Sequence, residues 1–236
     1  FSEKNDEMIS LVFFDEMGLA EESIENPLKV LHAELERDDN NLAFFGLTNW
    51  TLDASKMNRG IRIFVQDPDD KDLIDTASEI ARSIDENLFK DNEELFIFLS
   101  KAYFELRNEK EKTGYKDFHG NRDFYHLIRN AMKYLKEEKN KEGQNDPIYI
   151  RNISAVKAIE RNFGGYEGSV DNMKKIFYKI SKYNDINHRY NIIENISDNF
   201  RDPNSRYLLL ISKNSTSQNL VEQIILKENK QSVIYI

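Results

Sequence analysis

The fold is decided by residues 11–16, which read LVFFDE: four apolar residues followed at once by two carboxylates. Residues 9–14 form a short apolar run rich in strand-forming side chains, which predicts a strand buried in a parallel sheet. In open sheets of this kind, ligands bind at the edge formed by the carboxyl ends of the strands. The sequence therefore predicts that Asp15 and Glu16 lie at a ligand-binding edge.

The same pattern has the form of a Walker B element, in which a buried strand of a nucleotide-binding domain ends in two acidic residues. At such a position Asp15 would hold Mg²⁺ through its water shell. Glu16 would then orient or deprotonate the attacking water. The letters also suit an ordinary strand that ends in a solvated acidic turn, so the pattern alone leaves both interpretations open.

A second apolar run at residues 42–47 predicts the neighbouring strand, and it leads through Thr48 to Asn49. A neutral amide here matches the position of sensor 1 in AAA+ ATPases. There it would hydrogen-bond the γ-phosphate or the lytic water. Asparagine is also a common strand terminator, so the assignment depends on its order after Asp15 and Glu16.

Two arginines follow the second predicted strand. In AAA+ rings, a helix after sensor 1 delivers an arginine finger to the nucleotide of the neighbouring module. Arg59 ends a predicted helix that runs through Met57 and is the better candidate for this role, with Arg62 as the alternative. An arginine at a helix end also has a simpler explanation, because it complements the helix dipole.

The composition places the chain among ordinary soluble globular proteins. Of its 236 residues, 39% are hydrophobic and 32% are charged, both usual values. The net charge is -9, and no basic cluster stands out, so we expect no nucleic-acid partner. The absence of cysteine excludes disulfides and thiolate metal sites and fits a reducing, cytoplasmic location. No apolar run approaches the roughly 20 residues that a membrane span needs.

The part of the chain before Pro68 alternates between strand and helix patterns, which predicts a parallel α/β sheet. A helix at residues 27–36 opens with a proline, which the first turn tolerates. A third strand is predicted at residues 61–65. After Pro68 the apolar residues follow a helical period, so we place a domain boundary there.

The part after Pro68 is predicted to be a helical domain that extends to residue 184. Helical periodicity occurs at residues 72–88, 93–110, 123–138, 154–163 and 170–183. Residues 136–145 are polar and charged, which indicates a solvated loop, and residues 185–205 are interpreted as a linker. Residues 206–236 predict a strand, a helix and a strand, at 207–211, 218–227 and 232–236.

The predicted helical domain contains one further candidate for nucleotide binding. Arg122 and Asp123 open a helix, as in the sensor 2 motif of dynein- and midasin-like AAA+ proteins, which this stretch resembles. Arg122 would approach the β- or γ-phosphate of its own module as a forked cation. Asp123 is expected to act as a helix N-terminal charge.

Whole segments of the chain resemble mysterin-type proteins, giant dynein-like AAA+ proteins that carry a RING-type E3 ubiquitin ligase module. The similar segments are residues 15–36, 46–61, 120–129, 161–165 and 205–214. The resemblance implies an α/β plus helical fold: the C-terminal half of a AAA+ αβα domain at 1–67, a helical lid at 68–184, and a second, degenerate AAA+ module beginning at 206. It also implies ATP and Mg as cofactors, with adjacent AAA+ modules of the same polypeptide and the ubiquitin machinery as partners.

The chain lacks one part of a complete ATPase. No G-x-x-x-x-G-K-[ST] phosphate-binding loop is present, so for the first module it is expected upstream of Phe1. For the second module, residues 212–217 contain no glycine, which a phosphate cradle needs for close backbone approach. The four histidines are scattered without zinc-ligand spacing, so no RING-like ligand set is present either.

Two hypotheses of different classes follow from the sequence. In the first, the chain is part of an ATP-hydrolysing AAA+ module. In the second, it is a catalytically inactive scaffold or protein-interaction segment that keeps the ancestral motifs. A phosphate-binding loop upstream of Phe1 would favour the first.

Overall fold

The computed structural model describes residues 10–25, 27–36, 42–58, 60–113, 118–141, 143, 146–165, 167–186, 188, 191–202, 210 and 216–228. The chain divides into two compact units, Phe1–Asp67 and Pro68–Ile236. The candidate arginine Arg59 and the predicted strand at 232–236 lie outside the described residues. So does the predicted strand at 207–211, apart from Leu210, which belongs to no strand.

The first unit is built on two parallel strands, as the apolar runs predict. Strand β1 (Ser10–Phe14) pairs with β2 (Leu42–Gly46), in a register that sets Phe14 opposite Gly46. The connection between the strands begins with a short helix, α1 (Met17–Glu21), and continues through a 3-10 turn (Pro27–Lys29) into α2 (Val30–Leu35). A further short helix, α3 (Ala54–Met57), follows β2. The predicted helix at 27–36 is therefore confirmed, with its first turn in 3-10 form.

The predicted third strand at residues 61–65 is wrong. The structure has no strand there, and the side chains of Ile61, Ile63, Phe64 and Val65 are between 83% and 97% exposed. An apolar run becomes a strand only when a neighbour completes its backbone hydrogen bonds. Among the described residues of this unit, β1 and β2 pair only with each other.

The burial predicted for the two strands is also too high. Leu11 and Phe13 are 60% and 54% exposed, although Phe13 stacks on Phe45 at a ring-centroid distance of 5.6 Å. A continuous apolar run indicates burial on both faces only when a layer covers each face. In the described part of this unit, the deeply buried hydrophobic side chains are those of Met17 and Leu28.

The second unit is helical. Its elements are α4 (Asp70–Ile84), α5 (Glu86–Thr113), α6 (Asn121–Lys139), α7 (Pro147–Phe163), α8 (Ser169–Ser181), α9 (Ile192–Arg201) and α10 (Thr216–Glu228). Helices α4 to α8 enclose one apolar core, in which Tyr103 stacks on Phe124 at a centroid distance of 4.9 Å. On α5, Phe96 and Tyr103 are fully buried, and Phe98 and Phe104 pack against the same cluster.

Helix ends in this unit depend on polar side chains. The helix predicted at 72–88 ends earlier, at Ile84, because Asp85 is extended and its carboxylate accepts a hydrogen bond from the Leu88 N–H at 2.9 Å. Helix α5 then kinks at Asn92, whose backbone is not helical. The Asn92 amide oxygen accepts a hydrogen bond from Arg151 Nε at 3.1 Å, which ties the kink to α7.

Two other predicted bounds need correction, and a helix lies within the predicted linker. Helix α6 extends to Lys139, so the first residues of the loop predicted at 136–145 are helical. Helix α7 begins at Pro147 rather than residue 154, because Asp146 caps it by accepting from the Ile148 N–H at 2.9 Å. The stretch predicted as a linker, 185–205, contains α9, whose amphipathic pattern buries Ile196.

Candidate functional site

The candidate site is formed where β1 ends. Glu16 has φ 50 and ψ 40, in the left-handed region that non-glycine residues seldom occupy and that is enriched at functional sites. The Asp15 Oδ1 atom accepts a hydrogen bond from the Glu16 N–H at 2.9 Å, and the Glu16 carbonyl accepts from the Leu19 N–H at 3.0 Å. The chain therefore turns sharply from β1 into α1, with the two carboxylates at the turn.

The segment that follows β2 is fastened to this turn by the backbone. The Leu47 N–H donates to the Phe14 carbonyl at 2.9 Å, and the Met17 N–H donates to the Leu47 carbonyl at 2.8 Å. These bonds continue the parallel pairing beyond the last strand residues. The residues after β2 consequently lie beside the acidic turn at the same edge of the sheet.

An open cavity of about 140 Å³ lies at this edge. It is lined by Glu16, Gly18, Leu19, Asn49 and Trp50. The structure thus brings Glu16 and Asn49 to one space, large enough for a phosphate group and its waters. Asp15 is exposed and adjoins Glu16 in the chain without lining the cavity.

Two residues of this site, Thr48 and Gly18, escaped the sequence prediction. Thr48 Oγ1 donates to the Trp50 carbonyl at 2.7 Å and accepts from the Trp50 N–H at 3.3 Å, which closes a tight turn around Asn49. Gly18 is buried against the indole of Trp50. The signal available beforehand was a glycine close after the acidic pair.

Two of the candidate arginines, Arg62 and Arg122, are among the described residues. Arg62 is exposed in the irregular segment after α3. Arg122 is exposed in the first turn of α6, in the second unit. Its neighbour Asp123 accepts a hydrogen bond from the Gly120 N–H at 3.0 Å, the helix N-terminal role that the sequence predicts.

Among the described residues, neither a directly liganded metal site nor a membrane-spanning helix adds to this site. Within the described ranges, no group of three or more His, Asp or Glu side chains is arranged to hold a metal ion directly. A water-mediated magnesium site needs fewer protein ligands, since Mg²⁺ keeps several of its waters. None of the helices in the described part of the chain is both long and apolar enough to cross a membrane.

Comparison with known proteins identifies the class of protein to which this chain is similar. Residues 1–72, which include both strands and the cavity, match the family model described as the RNF213 AAA domain. The chain is 35% identical over 237 residues to E3 ubiquitin-protein ligase rnf213-beta of Danio rerio, an alignment that covers 95% of this chain and 4% of that protein. It is 30% identical over 249 residues to RNF213 of Mus musculus and 30% identical over 245 residues to RNF213 of Homo sapiens, each covering 96% of this chain and 4% of the relative.

The chain therefore belongs to the RNF213, or mysterin, family, and the resemblance found in the sequence is confirmed. It corresponds to a segment of the AAA region and spans about 4% of the length of the curated relatives it matches.

Proposed function

We propose that this chain is part of a AAA+ module that binds and hydrolyses ATP. Residues 1–67 would supply the hydrolytic half of the nucleotide-binding domain, residues 68–184 its helical lid, and residues from 206 onward the start of the next module. The observation that carries the proposal is that Glu16 and Asn49 line one cavity at the carboxyl ends of two parallel strands.

The side chains at this edge fit a magnesium nucleotide. Carboxylate oxygens suit a hard cation such as Mg²⁺, and an amide N–H₂ suits a phosphate oxygen. In the proposed site Asp15 holds Mg²⁺ through water, Glu16 orients the attacking water, and Asn49 donates to the terminal phosphate. When bound, the magnesium nucleotide supplies the phosphoryl group that is transferred.

Two arginines complete the proposal. Arg59 is assigned as the finger that stabilises charge at the nucleotide of the adjacent module, with Arg62 as the alternative. Arg122 is assigned to the phosphates of its own module, as sensor 2. Guanidinium groups suit both roles because they are always charged and bind phosphate in a forked geometry.

The relatives are described as E3 ubiquitin-protein ligases. We propose that the chain serves the ATP-driven part of such a protein in the cytoplasm. Its partners would be the adjacent AAA+ modules of the same polypeptide, and the ubiquitin machinery would act through other regions.

A second candidate function is a non-catalytic scaffold. It is favoured by the exposed apolar side chains of residues 61–65, because contiguous exposed apolar surface often marks a site of protein interaction. The chain's lack of a G-x-x-x-x-G-K-[ST] loop leaves this candidate open.

The decisive test is Glu16→Gln in the full-length protein, with the nucleotide of each site resolved in single-turnover assays. We expect ATP to be retained while hydrolysis at this module falls about 10²–10⁴-fold, since a positioned general base contributes that much. Glu22→Gln is the matched control, because Glu22 is an exposed residue just beyond α1. Wild-type hydrolysis by Glu16→Gln, without retention of nucleotide, would favour the scaffold instead.

The arginine-finger assignment predicts an effect on hydrolysis at the adjacent module. We expect Arg59→Ala to slow hydrolysis at the adjacent module by about 10³–10⁵-fold, the range found for such fingers. An effect of Arg62→Ala in place of Arg59→Ala would move the assignment to Arg62.

The chain by itself should bind ATP weakly, because the missing loop supplies most of the oriented N–H donors for phosphate. Calorimetry on the 236-residue chain checks this expectation. Micromolar affinity would mean that the phosphate cradle lies within this chain.

A further inference from the structure

We infer that Gly18 and Trp50 are positioning residues that fix the separation of Glu16 and Asn49 across the cavity. The inference rests on the proposed function, and it adds two residues that touch neither nucleotide nor water in that proposal. It starts from a close approach. A Cβ atom added at Gly18 would lie 2.5 Å from both Cε2 and Nε1 of the Trp50 indole and 2.9 Å from Thr48 Oγ1.

This contact leaves no room for a side chain. Ordinary contacts of a Cβ atom begin at about 3.4 Å, so even a methyl group would force the two segments apart by about 1 Å. The groups that it meets are the rigid indole and a hydroxyl engaged in two hydrogen bonds with Trp50. Neither is the free end of a flexible side chain.

Each member of the contact is coupled to one functional residue. Gly18 is in the first turn of α1, directly after the Glu16 turn, where the Leu19 N–H bonds to the Glu16 carbonyl at 3.0 Å. Trp50 follows Asn49, which lies inside the turn that the Thr48 hydroxyl closes. Packing of the indole on Gly18 therefore fixes the position of the Glu16 turn relative to the Asn49 turn.

A second close approach, between Gly46 and Met17, supports the same arrangement. A Cβ atom at Gly46, the last residue of β2, would lie 2.7 Å from the sulfur of Met17. Gly18 in α1 and Gly46 at the end of β2 thus permit α1 to pack tightly against the end of β2 and the turn that follows it. The Gly46 contact ends on a flexible side chain, so Gly18 is the stricter of the two positions.

Gly18→Ala in the full-length protein tests the inference. A displacement of about 1 Å between catalytic groups can cost about 10²-fold in rate, so we expect kcat at this module to fall about 10²-fold while the KM for ATP changes little. Gly165→Ala is the control, since a Cβ there meets only Phe118 at an ordinary 3.8 Å.

A spectroscopic readout is available in the 236-residue chain, because Trp50 is its only tryptophan. Trp50 is 40% exposed, and displacement from Gly18 should expose it further and shift its fluorescence emission to longer wavelength. Gly165→Ala should leave the emission unchanged. An unshifted emission in Gly18→Ala overturns the inference, whatever the enzyme assays show.

The two proposals fail in different ways. If Glu16→Gln abolishes hydrolysis and Gly18→Ala does not slow it, the positioning role is wrong and the proposed function stands. If Glu16→Gln has no effect on hydrolysis, the proposed function is wrong, and the positioning role falls with it even where the emission shifts.

Discussion

The two units of the chain differ most in how they use apolar residues. In the second unit, five helices bury side chains such as Leu73, Phe124 and Phe163 to 1% exposure or less. In the first unit, the strands that carry the candidate site leave Leu11 and Phe13 more than half exposed. The candidate site residues are thus held by backbone hydrogen bonds and two glycine contacts, with few deeply buried side chains among the described residues of this unit.

This difference predicts that stability and the proposed activity depend on different parts of the chain. Burial of apolar area is the main stabilising term in folding, so the second unit should dominate the unfolding free energy of the chain. Substitutions in its core should lower stability, whereas substitutions at the site should change activity with little effect on stability. Four predictions test this division.

The largest effect is expected from Phe124→Ala. Phe124 is fully buried and stacks on Tyr103, so its truncation should lower the free energy of unfolding by about 3–5 kcal/mol. Phe13→Ala, the matched change in β1, should cost about 1 kcal/mol, chiefly through its ring pairing with Phe45. Urea unfolding followed by far-UV circular dichroism measures both. Equal losses would contradict the division between the units.

A smaller effect is expected from alkaline pH. Burial in the second unit raises the pKa of Tyr134 from 10.0 to about 12. Because the folded pKa is the higher one, the stabilisation is complete below pH 10 and is lost as pH rises from 10 through about 12. The loss should reach about 2–3 kcal/mol. Urea titrations across this pH range should show a shallower decline in the unfolding free energy for Tyr134→Phe than for the wild type. An identical decline would show that Tyr134 is not the cause of the loss.

An effect of about 1 kcal/mol is expected at the start of the second unit. Asp69 caps α4 by accepting from the Asp72 N–H at 2.8 Å, and the Asp72 carboxylate accepts from the Asp69 N–H at 3.1 Å. Asp69→Ala should destabilise the chain by about 1 kcal/mol, the usual cost of a lost N-cap. Thermal unfolding scans of the wild type and the variant measure this loss. Asp69→Ser retains a hydrogen-bond acceptor and serves as the control. A full loss in the serine variant would point to charge rather than capping.

The smallest effect is expected at the exposed apolar segment of the first unit. Phe64 is 87% exposed, so Phe64→Gln should change the unfolding free energy by no more than about 0.5 kcal/mol. A loss above about 2 kcal/mol would show that this segment is buried in solution and that the first unit has a larger core. Leu106→Gln, at a fully buried position of the second unit, is the contrasting variant.

Much of the local structure could be predicted because its signals are local. The apolar runs predicted β1 and β2, and helical periodicity predicted α4 to α8. The errors fall where a polar side chain overrides the pattern, as Asp85 does between α4 and α5 and Asn92 does at the kink. They also fall at residues 61–65, because an apolar run does not reveal whether a pairing strand is present.

For the site, the sequence by itself determined which residues end the two strands, and hence that Glu16 and Asn49 belong to one edge. That inference holds because parallel neighbours share their carboxyl edge. Only the tertiary structure decided that Gly18 lies against Trp50, that the Thr48 hydroxyl closes the turn around Asn49, and that Glu16 adopts a left-handed backbone. Periodicity and capping signals encode contacts between near neighbours in the chain, whereas a contact between two distant turns depends on how β1 and β2 bring them together.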